Sequence, residues 1–95
     1  MGRNAENVYT TPEDIARLQA LVVALPSQAR VRLTMRGGNT ITGTVTERPA
    51  AQQFEDASGA PGMNALLRMG DSAVPDWSVY LWLGDIEHVR RLIES

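Results

Sequence analysis

Apolar and polar positions follow two different periods along this chain. Ile15, Leu18, Val22 and Leu25 recur at the spacing of one helix face. Thr11 is placed to cap that helix, and Pro12 sits at the first helical position, where a missing N–H does no harm. Asp14 stands where a capping box carries its acid, and Glu13 and Asp14 suit the positive end of the helix dipole. Pro26 ends the run, because the residue before a proline avoids helical angles. The pattern predicts a helix over 11–25.

Beyond Pro26 the period becomes two. Val31, Leu33 and Met35 alternate with Arg30, Arg32, Thr34 and Arg36, which predicts a strand with one dry and one wet face. Ile41, Gly43 and Val45 share a face of a second strand, opposite Thr40, Thr42, Thr44 and Thr46. Gly37, Gly38 and Asn39 lie between them and suit a tight hairpin. The tripeptide Arg36-Gly37-Gly38 is therefore read as a turn, not as one of the repeated RGG units of disordered RNA-binding segments. Gly43, inside a strand, marks a sharp bend of the kind a small curved barrel needs.

Residues 49–62 show no period and are expected to form a long loop, and 63–69 to form a third strand. Residues 70–76 look like a second loop. In the next run Val79, Leu81 and Leu83 alternate with Tyr80 and Trp82, predicting a fourth strand that turns at Gly84-Asp85. The stretch 86–93 fits a helix through Ile86, Val89 and Ile93, or a strand; its place after a tight turn favours the strand. The expected layout is a loose lead over 1–10 and a single domain over 11–95, with a helix at 11–25 and a barrel at 30–93. The expected class is mostly β, a strongly bent five-stranded antiparallel barrel preceded by an α-helix.

Composition narrows the function. The 95 residues make one domain, and an apolar fraction of 43% is enough for a packed core. A net charge of −2 supplies no global field for nucleic acid or anionic lipid. There is no cysteine, so disulfides, thiolate metal sites and cysteine nucleophiles are excluded. The first residues are polar, and the apolar run Ala20–Leu25 is far short of the ~18 residues of a membrane span. A soluble, cytoplasmic protein with no membrane partner is expected. His88 is the one histidine, with no positioned nucleophile or ligand set around it in sequence, so no enzyme, metal, cofactor or small-molecule substrate is expected. All nine basic side chains are arginine. Arg30, Arg32 and Arg36 beside the threonine row make either a phosphate-contacting surface or an ordinary solvated face.

The run "VRLTMRGGNTITGTV", then "GMNALL", then "YLWLGDIEHV" resembles the Sm-like family, which includes Sm and LSm proteins and bacterial Hfq. It also resembles a small bacterial branch of that family whose role is unassigned. The likeness implies a bent barrel that binds single-stranded RNA and assembles into rings through strand edges. It implies Asn64 as a base-contacting residue, Met63 before it as the residue that stacks or packs a base, and Gly84 as the glycine of the second motif; Arg30, Arg32 and Arg36 join them as RNA-contact candidates on the strength of the strand face alone. Leu83 stands where the family carries an arginine, so half of the implied uridine pocket is missing. Tyr80 and Trp82 are large aromatics on one strand face and are candidates for an interface. Two functions follow as expectations. One is a non-enzymatic, RNA-binding module, possible as a homo-oligomer. The other is a protein–protein interaction module on a barrel that has lost the RNA pocket.

Overall fold

The computed structural model describes residues 4–71 and 73–92. Helix α1 (Pro12–Ala24) is followed by β1 (Arg30–Met35), β2 (Thr40–Glu47), β3 (Gln52–Glu55), β4 (Pro61–Asn64), β5 (Leu66–Asp71) and β6 (Val74–Trp82). A 3-10 turn at Leu83–Asp85 then leads into β7 (Ile86–Arg91). The helix starts as its sequence requires: the Thr11 hydroxyl accepts from the Asp14 N–H at 3.2 Å. Leu18 and Leu25 are buried, and Ile15 and Val22 are half-buried, so the predicted stripe is the face turned inward.

Five strands form one sheet in the order β6–β5–β2–β1–β7, with every neighbour antiparallel. The alternation of β1 is realised: Val31, Leu33 and Met35 are buried. They meet Val45, Leu67, Met69, Leu83 and Ile86 in one core with Leu18 and Leu25 of α1. Each fully buried large aliphatic side chain contributes about 1.5–3 kcal/mol. The turn between β1 and β2 uses Gly38 at φ 90°, where an L side chain would be strained. Of the stretch 86–93, Ile86–Arg91 is a strand paired with β1, and Ile93 lies outside the described residues.

Three expectations change. The stretch 49–62 is not a plain loop: it contains β3, and β4 begins within it, pairing as a separate two-stranded sheet. The third strand expected over 63–69 is split between the two sheets. Burial explains why. Gly62 and Asn64 are buried in β4, then Ala65, Leu67 and Met69 are buried beyond it, so the inward parity flips between Asn64 and Ala65. The loop expected at 70–76 is mostly strand, because β5 runs to Asp71 and β6 starts at Val74. Among the described residues no ladder joins β6 to β7, so the sheet keeps two open edges.

Asp56 organises the turn of the β3–β4 hairpin. Its Oδ1 accepts from the Ser58 hydroxyl at 2.7 Å, the Ser58 N–H at 2.9 Å and the Ala60 N–H at 3.0 Å. These bonds, the Ser58 hydroxyl foremost, hold its carboxyl below the usual aspartate value. A lowered folded-state value means a contribution present at neutral pH and lost as pH falls through it. Acidification is therefore expected to release this turn. Amide protection at Ser58 and Ala60 should fall before that of β1 and β5; equal protection at all of these sites down through the carboxylate range would contradict it.

Candidate binding site

Asn64 is 1% exposed, the one buried polar side chain of the core among the described residues. It sits where the chain leaves β4 for β5. Its Oδ1 accepts from the Ala65 N–H at 2.8 Å and from the Gly84 N–H at 3.1 Å. Its Nδ2 donates to the Asn7 carbonyl at 2.8 Å. The amide thus ties the sheet crossing, the 3-10 turn and the amino-terminal segment together. Both ends of its polar group are committed inside the chain.

The segment before α1 is not loose where it is described. Asn4 bridges Glu55 and Tyr9 bridges Met63. Tyr9 and Met63 exchange both backbone bonds, at 2.8 and 2.7 Å. Ala5 is buried, and its N–H donates to the Glu55 carbonyl at 2.9 Å. The Tyr9 ring lies on Gly84: a β-carbon there would come within 2.7 Å of the ring Cζ. The Tyr9 hydroxyl donates to the Gly84 carbonyl at 3.3 Å. So Asn64, Met63 and Gly84 do come together as the sequence suggests, and residues 7–9 lie directly against all three.

The arginines divide. Arg36 turns away from Arg30 and Arg32; its Nε donates to the Gly84 carbonyl at 2.8 Å, and its guanidinium lies 6.0 Å from the Tyr9 ring centre. Arg32 stays on the outer face, where its Nε reaches the Thr42 hydroxyl at 3.4 Å. Arg90 is paired directly beside Arg32 across β1 and β7, and His88 is paired beside Thr34. Arg30 pairs with Thr44 on the same face. The outer face of β1, β2 and β7 is thus rich in guanidinium and hydroxyl groups.

At the other end of the sheet β6 presents aromatics. Tyr80 is 59% exposed and lies opposite Arg68 of β5, whose guanidinium is 5.8 Å from its ring centre. Trp82 shares that face but is half-buried, with the Phe54 ring edge-on at 5.0 Å. The β3–β4 hairpin therefore covers part of one interface candidate and leaves the other open. Leu66, paired with Trp82, and Val74 are also exposed. Among the described residues no group of three or more His, Cys, Asp or Glu is placed to hold a metal, and no helix is long and apolar enough to cross a membrane.

A family described as a domain of unknown function, DUF3247, matches residues 2–92. The chain belongs to this family. The crystal structure of XC5848 from Xanthomonas campestris, described as adopting a novel variant of the Sm-like motif, is 33% identical with a TM-score of 0.89. That likeness covers 98% of this chain and 100% of that one. No curated protein sequence matches. The Sm-like resemblance carried by the second strand with Gly43, Met63-Asn64 and Gly84 is thus shown at the level of the fold.

Within this DUF3247 chain, three participants escaped sequence reasoning. Tyr9 and Val8 are an apolar pair in a polar lead, and that pair was the available signal for a docked segment. Arg17 lies outside the apolar stripe of the helix and was not singled out, yet it donates to the Ile86 carbonyl. Arg90 joins Arg32 only through the β1–β7 register, which no local pattern shows.

Proposed function

We propose that this Sm-like protein is a non-enzymatic interaction module that docks another protein chain, foremost a second copy of itself, along β6. The observation that carries this reading is the nine-residue strand β6, bonded among the described residues on one side only, with Tyr80 exposed beside Arg68 and Leu66. An open edge offers a row of backbone donors and acceptors. Tyr and Arg are residue types that anchor interfaces. The sheet has a second, different open edge at β7, where Arg90 and Arg91 are exposed, while Asp76 is exposed on β6. Two unlike open edges favour head-to-tail contact, which closes into a ring when the rotation allows. Against a base-binding pocket of the family type stands Asn64, whose amide is committed to Ala65, Gly84 and Asn7.

Tyr80→Ala is expected to weaken self-association about 30-fold or more, as a central interface aromatic does. Sedimentation velocity across a concentration series reads the change, and circular dichroism checks the fold. An unchanged association constant in a folded Tyr80→Ala variant would contradict the proposal.

A second reading rests on Arg32 beside Arg90. Two like charges side by side on a sheet destabilise it, and a bound phosphate would relieve them. Single-stranded RNA held on this face would bind with a steep salt dependence that Arg32→Ala and Arg90→Ala both reduce.

A further inference from the structure

Three consecutive carbonyls leave the 3-10 turn and enter β7: those of Gly84, Asp85 and Ile86. Carbonyls at the end of a helical turn lack partners within it. Here two arginines from distant parts of the chain supply them. Arg36 donates from its Nε to Gly84 at 2.8 Å and from its backbone N–H to Asp85 at 2.9 Å. Arg17, on α1, donates to Ile86 through one terminal guanidinium nitrogen. Each guanidinium carries five N–H donors in a planar fork. One nitrogen of each is used, and the rest of both forks remains.

Both forks border one open cleft of about 440 Å³, shared with Glu87. Among the described residues neither arginine is paired with a carboxylate, and Glu87 is exposed. The turn therefore fixes two cations at one open cleft, neither of them in a direct ion pair. We propose that this cleft binds a phosphate group, held between Arg17 and Arg36. A carboxylate has two oxygens and is satisfied by one fork, whereas a phosphate has enough free oxygens for two. Glu87 borders the same space and opposes an anion bound there. This site is separate from β6 and from the Arg32–Arg90 face, and it stands or falls independently of the docking proposal.

The test uses the whole chain labelled with nitrogen-15, following the arginine Nε–Hε resonances during titration. The probes are inorganic phosphate and phenyl phosphate, with sodium chloride at matched ionic strength as the control. Saturable shifts at Arg17 and Arg36 with phosphate, absent with chloride, are expected. Arg17→Ala should weaken binding about tenfold or more, the effect of one charge-assisted contact. Glu87→Gln touches no bond that holds the fold, and it should tighten binding roughly threefold by removing the opposing charge. Tighter binding of phenyl phosphate would assign a phosphate monoester, and equal binding would assign the free anion. Shifts spread over all arginines that follow ionic strength alone, or unchanged affinity in a folded Glu87→Gln variant, would overturn the proposal.

Discussion

Asn64→Ala is expected to destabilise the protein by about 2–5 kcal/mol, since each orphaned buried group costs about 1–3 kcal/mol. The side chain is 1% exposed, and its loss strands the N–H groups of Ala65 and Gly84 and the carbonyl of Asn7. Water entering the small space left behind would recover part of this. The damage is placed where it spreads, because Asn64 joins the sheet crossing to the 3-10 turn and to residue 7. Urea unfolding measures the change as a shift in midpoint at constant slope. A change within about 0.5 kcal/mol, as at an ordinary surface position, would show that Asn64 does not hold these elements together.

Gly43→Ala is expected to cost about 2–3 kcal/mol, toward the upper end for overpacking a tight core. A β-carbon at residue 43 would lie 2.8 Å from the Gly70 carbonyl oxygen, 3.1 Å from the Met69 methyl and 3.3 Å from the Trp77 ring. Side chains can swing aside, but the Gly70 oxygen belongs to the backbone of β5, and Gly70 is the register partner of Thr44. Relief therefore means displacing β5 from β2. Amide exchange should speed up first at the β2–β5 pairs and less at β1–β7. Adding Trp77→Ala should not restore stability, because the obstructing atom remains; full restoration would show that the ring, not the backbone, sets the fit.

Gly43 also shows how much of the fold the chain displays openly. Its inward position in an alternating strand suggests a bend; what the structure shows there is a close approach, with the Gly70 carbonyl where a β-carbon would need room. The helix was legible because Thr11, Pro12 and Pro26 mark its ends by local chemistry. The β1–β2 hairpin was legible because Gly37 and Gly38 leave the chain few other ways to turn. The break between β4 and β5 was not legible. Met63, Ala65, Leu67 and Met69 share one parity and look like one continuous strand, and only the burial of Asn64 reveals the flip. That burial depends on Asn7 and Gly84, which are far away in sequence. The β3–β4 hairpin was hidden because its inward residues are Phe54, Gly62 and Asn64, with one large apolar side chain among them.

The candidate site was half visible. Asn64, Met63 and Gly84 were singled out and do lie together, but the residues covering them were not. Tyr9 docks through backbone bonds to Met63, and backbone bonding leaves no mark in side-chain pattern. Trp82 and Tyr80 share a strand face in sequence yet differ in exposure, because Phe54 lies against only one of them.

The decisive measurement is native mass spectrometry of the full-length protein, purified without nuclease, over a range of protein concentrations. Docking along β6 predicts a defined assembly of several copies whose mass is protein alone, and which falls to monomer in Tyr80→Ala. A wild-type monomer at every concentration, or a species carrying the added mass of RNA and unaffected by Tyr80→Ala, would contradict it.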